Sequence, residues 1–571
     1  MDRKTIIAMV LITIVIIAWP FYTKLISPEP VEIEQTQIID TAKSIEKEIV
    51  KQPSVELRTD TTTKPIFKKQ WWSDAAENDL VINTDLYTAV LSNKGGGLLK
   101  QWRLKKYKDF AGNPVDFIDP QKNLNLAFKY HDELINLKNA VFKSSALESS
   151  VTLSGDQNYT ISYHLTFDNT RQIIFTYTFY NTQYHYDLNI EFKNFADVIS
   201  NSEYQLQWLS GLKTTEKNFH DDLTFFKSYV QLGEEKEEFD VQESPSLETQ
   251  YTGLTKWVAS RTKYFVLFMI PQEKDGIGCA LKAETVHENG TLVQKNNFLS
   301  LIMKYEPNKI DRFKIYIGPS EFSILNAYNE NLTVIMEWGW AIIRPLTKAI
   351  LYTFNFLYGI IPNYGWVIII FALIIKVVLY PLTHKSYVGM QKMKEVMPRQ
   401  KEIQKKYKDN PTKMQQEMMK LYKEIGYNPL SGCLPMLIQM PILFPIYQVF
   451  HESIDLRQAP FFGWIKDLSV PDTIATLHTG LPFIGDFNIN PLPIVMTILT
   501  FVQQKLTPMT PMGDSDDPAQ KFNQKFMMYG MPILFFFIFN NFSSGLVLYW
   551  TIFNALTMGQ QLLITNTTSK K

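Results

Sequence analysis

The sequence predicts a helical membrane protein, an N-terminal anchor plus five core spans, with a large all-β domain inserted after the anchor. Three observations carry this. From about Asp79 to Pro319 the chain alternates apolar and polar residues with a period of two, as strands with one buried and one wet face do. Five later stretches are apolar over about the length of a bilayer span, which takes roughly 17–25 residues. Basic residues gather in the segments that alternate spans would place in the cytoplasm. The 571 residues carry 57 basic and 57 acidic side chains, a balance that gives no support for nucleic-acid binding. Two cysteines, Cys279 and Cys433, cannot make a disulfide framework and fall on opposite sides of the expected membrane.

The elements follow in order. Thr5–Trp19 is an apolar run behind Arg3 and Lys4. It ends in Trp19-Pro20-Phe21-Tyr22 with no small-residue cleavage site, so residues 1–22 read as an uncleaved signal anchor with its N-terminus inside. Residues 23–75 form a tether, rich in Glu, Lys, Thr and Pro and too poor in apolar groups to offset chain entropy.

Residues 76–325 read as a β-sandwich. Strands are expected at Tyr159–Phe167, Gln172–Phe179, Tyr184–Phe192, Glu203–Leu209, Leu299–Tyr305 and Arg312–Ile317, with a turn at Asp168-Asn169 and a tight corner at Gly95-Gly96-Gly97. Trp257–Pro271 is the most apolar piece and is expected as a single core strand. His131, His164, His185, His220 and His287 lack metal-ligand spacing, and the domain contains neither a phosphate loop nor a nucleophile elbow. It reads as a binding or spacing module outside the cytoplasm, not as an enzyme, and no cofactor is expected.

Residues 326–362 form a linker and an amphipathic helix, Trp338–Leu357, suited to the membrane interface. The helical core is 363–571. Its first span, Gly365–Leu382, holds Lys376 among Ile374, Ile375, Val377 and Val378, at a cost of about 2.5–3.5 kcal/mol on insertion scales. Either Lys376 is functional or its ammonium snorkels to the interface. Pro381 and the basic stretch from His384-Lys385 are expected to stop the helix. A cytoplasmic helical hairpin, 384–427, follows, divided by Pro398 and Asn410-Pro411; residues 385–425 hold eleven basic and five acidic residues. Met414, Met418, Leu421 and Ile425 share one helical face, open either to partners or to the other arm, and Gly426 is the expected C-cap.

The remaining spans are Pro429–Phe450, Pro491–Leu506, Phe526–Phe542 and Gly545–Ile564. Loop 451–490, with two basic and five acidic residues, fits the outside; 505–525 and the tail Lys570-Lys571 fit the inside. Both termini are then cytoplasmic. Lys376, Gln439, Tyr549 and Asn554 are candidates for one polar cavity. No Asp or Glu lies in the spans to neutralise Lys376, which argues against an ion-coupled carrier and for a wet groove holding an unpaired cation. An anion-selective transporter or channel using Lys376 is the alternative; inverted repeats would support it, and none is visible.

The stretches NYGWVIIIFALIIKVVLYPLT (363–383), NPLSGCLPMLIQMPILFPIY (428–447), IDLRQAPFF (454–462) and FSSGLVLYW (542–550) are long and specific. By them the chain resembles the YidC/Oxa/Alb family of membrane protein insertases, of the Gram-negative type. The resemblance implies a five-helix insertase core, a periplasmic β-supersandwich, and residence in the bacterial inner membrane. It also implies a nucleotide-free chaperone and insertase with a hydrophilic groove open to cytoplasm and lipid. Implied partners are nascent membrane proteins, Sec translocon components, the ribosome and signal recognition particle machinery, and membrane lipid; a monomer is compatible. The groove cation matches Lys376, where Arg is usual, so the planar fork is lost and the charge kept. Groove and substrate-contact positions match Ala372, where a polar residue is usual, Gln439, the aromatic pair Tyr549 and Trp550, and Asn554.

Overall fold

The computed structural model describes residues 76–131, 133–241, 244–288, 291–336, 338–339, 342–408, 410–426, 434–478, 486–506 and 525–568. The expected anchor (1–22), the tether (23–75) and Cys433 lie outside them.

The β domain is a sandwich of two sheets. The smaller runs Pro114–Asp116, Leu98–Lys108, Tyr87–Ser92, Asp79–Asn83, Ser150–Thr152. The larger has fourteen strands. Its path runs Glu133–Asn136, Leu124–Tyr130, Glu203–Trp208, Thr291–Lys304, Gly276–Glu288, Ser246–Arg261, Phe265–Gln272, Ile310–Pro319, His185–Lys193, Gln172–Tyr180, Asn158–Thr166, Lys143–Ser144, with the hairpin Lys227–Leu232/Glu235–Phe239 attached to Ser246–Arg261. Pairing is antiparallel except where Asp79–Asn83 meets Ser150–Thr152. Trp102 ties the sheets together: it stacks on Tyr87 at 3.9 Å, and its indole N–H donates to the Ile317 carbonyl at 2.9 Å. The corner at 95–97 has positive φ throughout, and a Cβ on Gly97 would fall 2.5 Å from the Tyr177 ring.

Trp257–Pro271 is not one strand. Ser246–Arg261 ends there, the chain turns at 262–264, and Phe265–Gln272 pairs back, Val258 opposite Met269. The polar run Ser260-Arg261-Thr262-Lys263 forms the corner, held by the Thr262 N–H on the Phe265 carbonyl at 2.8 Å. Both arms are buried on both faces, which hides the alternation that would have separated them.

Seven helices follow among the described residues: α1 (Arg344–Ile360), α2 (Tyr364–Lys406), α3 (Pro411–Ile425), α4 (Leu434–Glu452), α5 (Pro491–Leu506), α6 (Met531–Phe539) and α7 (Ser544–Thr568). The expected amphipathic helix starts at Arg344, not Trp338, because Gly339 sits at φ +73° and Pro345 opens the first turn. It buries Thr347, Ile350, Leu351, Phe354 and Leu357 and exposes Phe356 and Ile360.

α2 is a second correction. It runs through both Pro381 and Pro398 as one helix of 43 residues, roughly 65 Å at 1.5 Å per residue. That is about twice the hydrocarbon thickness; its Tyr364–Gly389 part is long and apolar enough to cross a membrane, and the helix continues as the first arm of the hairpin. Each proline removes one N–H bond, and the remaining ladder and packing against neighbours carry the helix past it. α2 ends at Lys406; at the start of α3 Asn410 Oδ1 accepts from the Lys413 N–H at 3.0 Å, and α3 closes on Gly426 at φ +67°. The Met414/Met418/Leu421/Ile425 face is turned inward, with Leu421 buried, and α3 packs on the lower half of α2.

One apolar core joins the helices. Val367, Ile368 and Phe371 of α2 meet Ile446, Val449 and Phe450 of α4 and Leu546, Val547 and Tyr549 of α7. A turn of π-helix, Phe526–Gly530, precedes α6, and a small hairpin, Ala475–His478 with Asp486–Ile489, lies between α4 and α5. The core meets the β domain through Arg261, which is 1% exposed: Nη2 donates to Glu452 Oε2 at 2.9 Å and Nη1 to the Ile335 carbonyl at 2.6 Å.

Candidate functional site

α2 presents two unlike faces. Leu373, Ile374, Val377 and Val378 are exposed, as expected for a helix side that faces lipid. Lys376 points the other way, is 6% exposed, and lies between α2 and α7. Its Nζ donates to Thr557 Oγ1 at 2.8 Å and stands 4.9 Å from the centre of the Phe553 ring and 5.7 Å from that of Tyr387. Two aromatic faces and one hydroxyl replace part of the lost hydration. No carboxylate lies within ion-pair distance of it among the described residues. Of the wet groove with an unpaired cation, the structure shows a cation without a carboxylate partner among the described residues but with a hydroxyl one. The ammonium is turned inward, neither stretched along the helix toward solvent nor left without a hydrogen bond.

Thr557 belongs to a polar stripe on α7. Asn554, Thr557, Gln560 and Gln561 recur at helical spacing, and all four are buried. Asn554 Nδ2 donates to Thr500 Oγ1 of α5 at 3.1 Å, and Gln560 Nε2 donates to Thr383 Oγ1 of α2 at 3.3 Å. The Gln560 side-chain oxygen is buried without a hydrogen-bond partner among the described residues. The stripe thus lines a seam, one side to α5 and the other to α2, that runs toward the hairpin.

The other sequence candidates divide. Ala372 is fully buried one turn above Lys376 and supplies no hydroxyl; Thr557 supplies it from the facing helix. Tyr549 is 1% exposed and packs among Phe371, Phe450 and Phe553, above the cation. Trp550 turns to Phe539 of α6. The aromatic pair therefore faces two neighbours and does not line one wall. Gln439 of α4 is half-buried, and its Nε2 is enclosed with no partner among the described residues; no hydrogen bond joins it to Lys376. Thr557, Thr383 and Tyr387 went unremarked in the sequence. The i, i+3, i+6, i+7 polar recurrence from Asn554 was the available signal.

Elsewhere, no group of three or more His, Cys, Asp or Glu converges to hold a metal among the described residues. Cys279 is a buried free thiol. Burial pushes the His185 imidazole down to about 3, with Lys314 adding to the effect, so it stays neutral; its Nδ1 meets the Tyr328 hydroxyl at 2.8 Å.

Comparison with known proteins covers both halves of the chain. The family described as YidC periplasmic domain matches residues 79–352, and the family described as 60Kd inner membrane protein matches residues 356–571. The chain is 36% identical over 579 residues to the membrane protein insertase YidC of Prosthecochloris aestuarii, covering 100% of this chain and 95% of the relative. It is 36% identical over 578 residues to that of Chloroherpeton thalassium (100% and 96%), and 34% identical over 581 residues to that of Chlorobium luteolum (100% and 96%).

Proposed function

This chain belongs to the YidC membrane protein insertase family, and on that premise we propose that the seam between α2 and α7 is the site that receives the polar part of an inserting segment. The family makes it an inner-membrane protein with a periplasmic domain that acts on nascent membrane proteins. The proposal concerns how. The observation that carries it is a buried lysine with a hydroxyl but, among the described residues, no carboxylate beside it, on a stripe of amides leading toward the cytoplasmic hairpin.

An isolated charge in hydrocarbon is costly, and an acidic or strongly polar segment entering the seam would offset that cost. Lys376 attracts such a segment and lowers its desolvation penalty. Gln439, Asn554 and Gln560 offer amides along the way, and toward the outer end Tyr549 stands on the α2 side of α7 and Trp550 on the α6 side. The apolar part of the substrate leaves between α4 and α6 into lipid, driven by about 25 cal/mol per Å² of apolar area removed from water. Since Lys376 meets a single hydroxyl and two ring faces, the site works by positive potential and not by a fixed bidentate geometry.

In the same reading the chain crosses the membrane six times with both termini inside. The basic hairpin receives the ribosome, the signal recognition particle machinery or the substrate. The β domain faces the Sec translocon components.

The test is depletion of the protein followed by ribosome-coupled insertion of single- and double-span substrates. Lys376→Arg is expected to support insertion, and Lys376→Ala or Lys376→Glu to impair substrates with acidic outer segments. Normal insertion without the protein would sink the reading, and full activity of Lys376→Glu would remove charge attraction from it. A Cys at 376 is expected to react with a thiol reagent from the cytoplasmic side; complete protection would mean that the seam does not open inward.

A further inference from the structure

The segment between α4 and α5 begins with Ile454–Ser469, which reaches into both halves of the molecule. Ile454 packs in the core of the β domain, whereas Leu456, Ile465 and Leu468 pack in the helical core. The segment lies across the outer ends of α2 and α7. Phe461 sits on Gly365 so closely that a Cβ there would fall 1.8 Å from the ring. The first N–H groups of α7, which no helical carbonyl can satisfy, donate to this segment and its flank: Gly545 to the Leu468 carbonyl at 2.9 Å and Ser544 to that of Val470 at 2.8 Å. The Ser544 hydroxyl donates to the Asp467 carbonyl at 2.7 Å.

The β domain holds this segment from above. Arg457, whose side chain is 2% exposed, donates through Nε to Glu216 Oε1 at 2.7 Å. Its guanidinium lies 5.7 Å from the Tyr264 ring centre and 5.5 Å from that of Phe265. Next to it Gln458 sits at φ +56°. Its Nε2 donates to the carbonyls of Lys108 and Asp109 at 3.0 and 3.2 Å, and its own N–H donates to Asp467 Oδ1 at 3.0 Å. A left-handed backbone at a residue other than glycine persists where its surroundings over-determine it, and here both units contribute.

We infer that Ile454–Ser469 is the outer seal of the groove and that the β domain is the clamp that keeps it seated, through Arg457–Glu216 and Gln458. The inference rests on the reading of the α2/α7 seam as a groove that opens inward. It gives the large domain a mechanical role, because the clamp keeps water and ions from crossing while the groove is open on the other side.

The experiment uses the full chain with Cys279 and Cys433 replaced by Ser and a reporter Asn554→Cys, in oriented membrane vesicles, with a membrane-impermeant maleimide added to either face. The parent is expected to label from the cytoplasmic face and to be protected from the outer face. With Glu216→Gln alone, outer-face labelling is expected to rise at least about tenfold, because removing one partner leaves the buried Arg457 guanidinium without its carboxylate. Charge reversal, Glu216→Arg with Arg457→Glu, is expected to restore protection, as is an Asp109→Cys/Gln458→Cys crosslink made in the released variant. Recovery by either route excludes general unfolding. Unchanged outer protection in E216Q, with cytoplasmic labelling intact, overturns the clamp alone. Failure of both recoveries also overturns it. A reporter that reacts from neither face overturns the inward-opening groove and the clamp with it.

Discussion

Replacing Arg261 measures how firmly the β domain is joined to the helical core. The guanidinium and Glu452 are 1% and 7% exposed, and their ion pair spans 191 positions of sequence at 2.9 Å. Arg261→Met keeps most of the side-chain volume and removes the charge. Glu452 then keeps the Gln448 amide but loses the Arg261 guanidinium. Removing one member of a buried pair costs about 3–5 kcal/mol, whereas replacing both by apolar chains is close to neutral. At about 1.4 kcal/mol per factor of ten, the single change should raise the opening equilibrium of the junction by roughly two to nearly four orders of magnitude. The amides of Ser453, Leu456 and Arg457 are suited to read this, because each is hydrogen-bonded within the turn that follows α4, to Val449, Ser453 and Ile454 respectively. Hydrogen exchange of these amides, followed by mass spectrometry on the full chain in lipid nanodiscs, should accelerate accordingly in Arg261→Met. Adding Glu452→Leu should recover part of the loss. A remainder of about 1–3 kcal/mol is expected, because the Ile335 carbonyl still lacks its donor. Exchange in Arg261→Met indistinguishable from the parent would refute the reasoning. A double variant looser than the single one would do the same.

Further outcomes follow from other contacts. Thr557→Val should lower insertion of substrates with acidic outer segments while Thr557→Ser retains it, since the hydroxyl on Lys376 is what changes; equal activity of the two would remove the hydroxyl from the account. Gly365→Ala should destabilise the core by about 1–3 kcal/mol through overpacking against Phe461, and Phe461→Leu should relieve part of it, as read by thermal aggregation in detergent. Burial holds the His185 imidazole at about 3, despite Asp187 at 3.8 Å, while the unfolded chain titrates near 6.5. Its contribution is full above 6.5 and falls as pH drops toward 3, by up to about 1.4 kcal/mol per pH unit; His185→Gln should flatten that fall in melting temperature measured at pH 7 and pH 5. Asp222 acts in the opposite sense. Burial raises its carboxyl from 3.8 to about 6, although it accepts the Lys263 and Thr215 N–H groups, so stability falls as pH rises through that window. Asp222→Asn should remove this slope, and an unchanged difference between pH 4 and pH 6 would exclude it. Because the two windows overlap, each is read as variant minus parent.

Local order was legible in the chain. The period-two stretches became antiparallel strands with boundaries within a residue or two at Asn158–Thr166, Gln172–Tyr180 and His185–Lys193. Pro491–Leu506 has the predicted ends, and Gly426 caps α3 as its position implied. Lys376 stood out because it is the one charge in an eighteen-residue apolar stretch, which is costly wherever the helix lies. These features depend on neighbours a few residues away, which a sequence displays directly.

Tertiary structure decided what depends on distant partners. Pro381 and Pro398 look like stops, yet α2 passes through both, because each removes one hydrogen bond from a helix held by many others. Trp257–Pro271 looks like one strand, yet folds into a hairpin whose corner residues Arg261 and Lys263 face the helical core and the Asp221 carboxylate. The hydroxyl beside Lys376 comes from Thr557, 181 positions on, and not from the turn above, where Ala372 stands. By itself the sequence displayed most of the elements and the one lysine within the first apolar stretch of the helical core. Only the fold decided which groups surround that cation, since those contacts arise when faces that are far apart in the chain are buried against each other.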